Sequence, residues 1–294
     1  MRNDRSEIDR NTRLLAANEK ADRLSSQVGM RIPALLYHHV GPSRPGIHHK
    51  LTVSPERFEQ QIRWLARHNY SGIKPSDLLR WMRDGKGLPE KPILLTFDDA
   101  YADTAEYALP VLRMYGLSGA VFVVTERLGE INAWDEIRGS ITLRIMTAEQ
   151  IRYWVGEGIE FGAHSRTHAD LTQLASAECS EEISGSRNDL TALLDRPALS
   201  FAYPYGKFND AVHELVKREF DLAFTVEEGM NDLRRDPHLL RRTLICANDS
   251  LLQFALKARS GLSFDGWRVK LAIRTRLKRL LRRLTHSASK RLFG

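Results

Sequence analysis

The sequence predicts an α/β fold on a mostly parallel sheet, open or closed into a barrel. Three observations carry this. Short apolar runs alternate with segments of helical period along most of the chain, a capping-box pattern opens one helical segment, and residues suited to chemistry directly follow apolar runs, where such sheets bind ligands. In order, the strand at 34–37 precedes a helix over about 55–68, with Phe58, Ile62, Trp64 and Leu65 at helical spacing. The Gly/Pro-rich stretch 40–46 between them reads as a loop. A strand at 93–97 leads to a helix near 104–115, and the run Ala120-Val121-Phe122-Val123-Val124 is the next strand. Thr147 and Gln150 form the capping-box pair of the following helix. Then come a strand at 159–161, a long helix over 176–194, a strand at 199–202, a helix over 209–220 and a strand at 222–225.

Composition sets the outer limits. With 42% hydrophobic and 28% charged residues the chain reads as globular, and its purely apolar runs are far too short to cross a bilayer as a helix. The first residues alternate in charge and lack an apolar core of the secretory type, and the only cysteines, Cys179 and Cys246, belong to no CxxC pair. Together these give the expectation of a cytoplasmic, reducing setting. The net charge of +7 hides an asymmetry. Ten of the 44 basic residues and none of the 37 acidic ones fall in 266–294, leaving 34 basic against 37 acidic residues elsewhere. The expected organisation is a polar N-terminal arm (1–30), a (β/α) barrel (31–260) and a basic amphipathic tail (261–294).

The most telling feature is the apolar run Ile93-Leu94-Leu95-Thr96-Phe97 ending in Asp98-Asp99, together with His164-Ser165-Arg166-Thr167-His168 after a later strand. A buried strand that ends in two acids is costly, because desolvated carboxylates need a cation, a proton or strong donors. One Asp and two His form a three-ligand set with an open coordination position, and the second Asp is then free to act as a base. The plain alternative is that the two Asp cap the next helix and that the His lie on the surface; the joint occurrence outweighs it.

These segments, with Phe201-Ala202-Tyr203-Pro204-Tyr205-Gly206, resemble the polysaccharide deacetylases, carbohydrate esterase family four with the NodB homology domain, over about 33–249. The resemblance implies a distorted (β/α) barrel of the NodB type, here followed by a C-terminal basic amphipathic helix. It implies a metal-dependent hydrolase that removes an N-acetyl group from an amino sugar, and one divalent metal ion, zinc. Carried over by residue, Asp99, His164 and His168 are the metal ligands and Asp98 the general base. The Tyr205 backbone N–H would stabilise the oxyanion, with Pro204 and Gly206 shaping the turn, unless this is an ordinary strand-ending turn. Tyr203 and Pro204 fall on the substrate side. Trp134 could stack on a sugar or simply pack under its loop.

The chain departs from the family pattern at three places. The Arg that usually holds the catalytic Asp is replaced by Ala202, so Arg242, in a segment resembling Leu-Pro-Arg, is the candidate partner of Asp98; the alternative is a solvated strand-end Arg. Ala100 stands where Gly usually follows the Asp pair, so that backbone is expected to avoid strongly positive φ. No Leu-x-His strand follows Asp249, but Leu36-Tyr37-His38 fits it on the first strand. Barrel closure makes first and last strands neighbours, so His38 is the candidate acid and Leu36 a wall of the acetyl pocket. His39 points to the opposite face.

In the tail, Val269, Ile273, Leu277, Leu280, Leu281 and Leu284 fall on one helical stripe opposite most of the Lys and Arg. This fits an in-plane helix on an anionic membrane surface; a docked helix or a nucleic-acid contact are the alternatives, and no nucleic-acid motif supports the last. The expected substrate is an amino sugar in a polysaccharide or in a lipid- or nucleotide-linked precursor, with the protein peripheral on the inner membrane face. Competing readings are an amidohydrolase of a non-carbohydrate C–N bond and a catalytically silent binding adaptor.

Overall fold

The computed structural model describes residues 29–43, 50–85, 87–136, 142–232 and 234–263. Strands β1 (Ile32–Tyr37), β2 (His39–Val40) and β3 (Thr52–Val53) lead into helix α1 (Pro55–Arg67). Then follow β4 (Ser71–Ile73), α2 (Pro75–Asp84), β5 (Pro92–Phe97), α3 (Leu109–Met114), β6 (Ala120–Val123), α4 (Ala133–Glu136), α5 (Ala148–Gly156) and β7 (Glu160–Ala163). The order continues with α6 (Ser176–Ser180), α7 (Ser186–Leu194), β8 (Ser200–Ala202), α8 (Asp210–Glu219), β9 (Leu222–Phe224), β10 (Met230–Asn231), β11 (Thr243–Leu244) and α9 (Leu251–Ser260).

The main sheet runs β10-β1-β5-β6-β7-β8-β9, all parallel pairs except β1 with β10, with β4 added beside β5. The segment after β10 curls it toward closure: Leu240 bridges Phe224 of β9 in parallel, and β11 pairs with β1 in the register Leu35↔Thr243 and Leu36↔Leu244. Each strand splits its side chains between two faces. Ile32, Ala34, Leu94, Phe122, Ala202, Phe224 and Leu240 form one apolar cluster inside the curl. Leu35, Tyr37, Phe97, Val121, Phe161, Phe201 and Tyr203 belong to a second cluster packed beneath the helices. That parity aims the residues just past each strand: Phe97 faces the helices, so Asp98 turns inward.

Helix ends follow their caps. Thr147 accepts from Gln150 N while Gln150 Oε1 accepts from Thr147 N, closing the capping box the sequence shows. The same device, Ser250 with Gln253, opens α9, a helix absent from the sequence-based alternation although its signature is legible. The helices at 104–115 and 176–194 are not continuous α-helices: one begins with a π turn (Thr104–Ala108), and the other is interrupted by a π turn (Glu181–Gly185). Of the expected tail (261–294), residues 264–294, and of the arm (1–30), residues 1–28, lie outside the described residues.

Candidate active site

The C-terminal ends of the parallel strands converge on one cavity of about 100 Å³, lined by His38, Asp98, Asp99, His164, His168 and Tyr205, with Leu51, Tyr101, Trp134, Gly206 and Val226 completing the wall. His38 directly follows β1, Asp98 and Asp99 follow β5, and His164 follows β7.

Arg242 binds Asp98 through both arms of its guanidinium, Nη1 to Oδ1 at 2.6 Å and Nη2 to Oδ2 at 2.8 Å. The Arg is wholly buried, donates Nε to the Thr225 carbonyl, and lies over the rings of Phe122 and Phe224. Thr96 supports it from below: its hydroxyl donates to the Leu35 carbonyl and accepts a 3.4 Å contact from Nη1. Burial works to raise the Asp98 carboxyl, but the Arg242 charge, His164 and the Arg242 hydrogen bonds outweigh it and hold Asp98 below its ordinary value.

Asp99, His164 and His168 offer three ligand atoms within 4.8 Å of one another, all buried. Their hydrogen bonds leave these atoms for a cation. His164 Nδ1 lies 2.7 Å from the Ala202 carbonyl, which can only accept, so Nδ1 carries the proton and Nε2 presents a lone pair. Burial, against the pull of Asp98 and Asp99, pushes the His164 imidazole down to about 4, keeping it neutral. Asp99 Oδ1 is buried without a hydrogen-bond partner among the described residues, 3.6 Å from His164 Nε2 and 3.3 Å from His168 Nε2. Burial raises the Asp99 carboxyl and the two imidazoles lower it, with a net shift well down. An ionised oxygen facing two nitrogens without a hydrogen bond is the donor arrangement that suits a divalent ion. The His168 ring is held by packing, stacked on Trp134 at 4.5 Å and edge-on to Tyr205 at 4.4 Å.

The backbone around this centre is strained. Of the seven described non-glycine residues with positive φ, five are Asp99, Ala100, Ser165, His168 and Tyr205. Ala100 corrects an expectation: its φ is +51°, in the region that Ala was expected to avoid. The turn is over-determined, because the Ala100 carbonyl accepts from Met146 N at 2.8 Å and the residue is completely enclosed. Alanine has the smallest side chain that must tolerate this conformation.

Three assignments to the substrate wall are also corrected. Tyr203 faces the helices, packed against Phe201 and Phe208 with its hydroxyl at His213 Nδ1 and the His238 carbonyl. Pro204 is buried in the turn beneath Tyr205, and Leu36 is enclosed in β1 opposite Thr96; neither is among the described residues lining the cavity. Strand parity explains Tyr203, since Ala202 takes the inward position. Leu51, Tyr101 and Val226 form the apolar wall instead, and parity carries one signal for them: Val226 lies two residues beyond the inward Phe224.

Trp134 does line the cavity, and on its far side opens a larger one of about 480 Å³ shared with His168 and Tyr205 and bordered by Arg127, Asp170 and Lys207. His39 turns away from the centre, as strand parity requires, to Asp103 at 2.7 Å and Thr52 at 3.2 Å.

Fold and site thus define a curled α/β barrel with an Asp-His-His set able to hold a divalent ion beside an Arg-bound carboxylate. The family model for polysaccharide deacetylase matches residues 85–220 of the chain, and proteins of that family are metal-dependent. It is 23% identical over 216 residues to YxkH of Bacillus subtilis, which carries a provisional polysaccharide deacetylase name, covering 73% of this chain and 71% of that one. It is 24% identical to a poly-beta-1,6-N-acetyl-D-glucosamine N-deacetylase of Staphylococcus aureus, covering 71% and 72%. Among solved structures, the Streptococcus pyogenes deacetylase PplD in complex with acetate superposes with a TM-score of 0.68 at 25% identity, covering 78% of this chain and 98% of that one.

Proposed function

We propose that this protein is a metal-dependent deacetylase that hydrolyses the N-acetyl group of an amino-sugar unit in a polysaccharide or its precursor. The observation that carries it is the pairing of an Arg242-bound Asp98 with the Asp99, His164 and His168 donor set in one cavity. The match to the family model and the relatives named as deacetylases support the same reaction.

A divalent ion, for which we propose zinc, would polarise the amide carbonyl and lower the pKa of water at the site. Asp98, kept ionised by Arg242, takes a proton from the attacking water as its oxygen bonds to the carbonyl carbon. The Tyr205 backbone N–H supports the charge that develops on the carbonyl oxygen. The C–N bond then breaks as His38 delivers a proton to the leaving nitrogen, giving acetate and the free amine. His38 enters from the β1 end rather than from a later strand, and β11 fills the place beside β1. The small cavity suits an acetamido group, and the larger one beyond Trp134 gives room for the group to which the sugar is linked.

For location we propose a cytoplasmic protein peripheral on an anionic membrane surface, acting on a lipid- or nucleotide-linked precursor. The ten basic residues and the apolar stripe of 266–294, and the two unpaired cysteines, support this reading. Two tests separate these claims. Free-amine release is measured on N-acetylglucosamine oligomers and on lipid- and nucleotide-linked sugars, with metal restored; no release from any of them would leave the silent-adaptor reading standing. Metal analysis of Asp99→Asn and His164→Ala is expected to show loss of the ion, and full occupancy in both would refute the ligand set.

A further inference from the structure

The loop that carries His168 is gripped from a helix the reaction does not touch. Glu182 lies in the π turn between α6 and α7. Its Oε2 accepts from Arg166 N at 2.9 Å and Thr167 N at 3.0 Å, and its Oε1 from the Thr167 hydroxyl at 2.6 Å. Arg166 reaches Glu181 of the same π turn at 2.5 Å, and Glu126 and Asp189 outside it at 2.7 and 3.1 Å. Gly185 leaves room for this arm, since a Cβ there would come within 2.5 Å of Arg166 Cδ. The two residues that Glu182 holds separate Ser165 and His168, both left-handed at φ +61° and +66°. The turn is held further by the Ser165 hydroxyl, which accepts from His168 N at 3.0 Å, and by Thr125 N and Glu126 N, which donate to the Ser165 and Arg166 carbonyls at 3.2 and 3.0 Å.

We infer that Glu182 is a positioning residue for the metal centre: it fixes the strained turn that aims His168 Nε2 at Asp99, and so sets the affinity and ligand geometry of the bound ion. The argument is one of pre-organisation. His168 Nδ1 is buried without a hydrogen-bond partner among the described residues, so no hydrogen bond to that nitrogen orients the ring. Its direction therefore depends on the backbone under it and on Trp134 and Tyr205 beside it. A carboxylate with three donors from two consecutive residues is a strong clamp on such a backbone.

The inference rests on the metal reading of Asp99, His164 and His168, and its test reads metal binding rather than deacetylation. Co²⁺ affinity is measured by competition with a chromophoric chelator, with the visible spectrum of the Co²⁺ form, on wild type, Glu182→Ala and Glu182→Gln. Glu182→Ala is expected to bind about 10- to 100-fold more weakly with an altered spectrum. Glu182→Gln, which keeps the shape and an acceptor oxygen, is expected to recover most of the affinity. Should Glu182→Ala fail to fold, Thr167→Val removes only the 2.6 Å bond and is expected to give a smaller loss of the same sign. A Glu182→Ala protein with wild-type affinity and spectrum, even if less heat-stable without metal, overturns the inference, as does unchanged affinity in Thr167→Val. A wild-type chain that takes up no Co²⁺ overturns the metal reading and this inference together.

Discussion

The identity of Arg242 matters as much as its charge. Its fork meets both oxygens of Asp98 while Nε is bound to Thr225, a geometry an ammonium group cannot reproduce. Arg242→Lys is therefore expected to lose part of the lowering of the Asp98 carboxyl. A base must be ionised to work, so a raised Asp98 moves the acidic limb of kcat/KM to higher pH, and pH–rate profiles of the two proteins check the sign. Arg242→Met leaves a buried carboxylate unpaired and is expected to cost about 3–5 kcal/mol in denaturant unfolding. The site's residues differ in how legible they are. Asp98, Asp99, His164 and His168 announce themselves because ligands and base must have particular chemistry at particular strand ends. Ala100 misleads because its φ is imposed by Met146, from another segment of the chain, and nothing in its own neighbourhood reports it. Tyr203 misleads because motif membership says nothing about which way a strand residue points.

Among the elements, the end of the sheet away from the cavity offers a test of buried charge. Glu160 in β7 is largely buried and accepts from Ser76 N at the start of α2. Burial raises its carboxyl above the ordinary value despite these bonds. The folded chain thus holds this proton to higher pH than the unfolded chain does. Glu160's contribution to stability is therefore most favourable below the unfolded pKa and declines as pH rises toward the folded one. Glu160→Gln is expected to raise the melting midpoint by about 2 °C at pH 7.5 and to lose that advantage near pH 4. A second test lies at α9, where Lys257 donates to Asp249 at 2.6 Å and to the Leu244 carbonyl, tying β11 to the helix. Asp249→Ala strands a buried ammonium and is expected to cost about 3–5 kcal/mol. Lys257→Met should cost clearly less, because Asp249 keeps its bond from Cys246 N. Most of the parallel sheet is legible as apolar runs, whereas β4, β10 and β11 are two or three residues long and carry no periodic signal. Their pairing is decided by distant partners, and the same distance hides the π turns.

For the whole molecule, metal and fold are linked. Binding that favours the folded state should raise the melting midpoint progressively with added Zn²⁺, and Asp99→Asn should flatten that dependence. Calorimetry with and without a chelator checks both. Membrane attachment is expected to depend on residues 266–294: liposome flotation with anionic vesicles should fall when they are removed, and equal binding by both forms would refute the anchor. The bond between Asp98 and Arg242 has one more consequence, seen in the order of assembly. The two residues lie 144 positions apart, and Arg242 arrives with the segment that draws β9 toward β1. A chain emerging from synthesis holds Asp98, Asp99, His164 and His168 early but receives the counterion of Asp98 late. Until residue 242 is in place, the Asp98 carboxylate lacks the cation that pairs with it, and burying it within the barrel is costly. The pairing of Asp98 is therefore reached in the same step that draws the sheet toward closure.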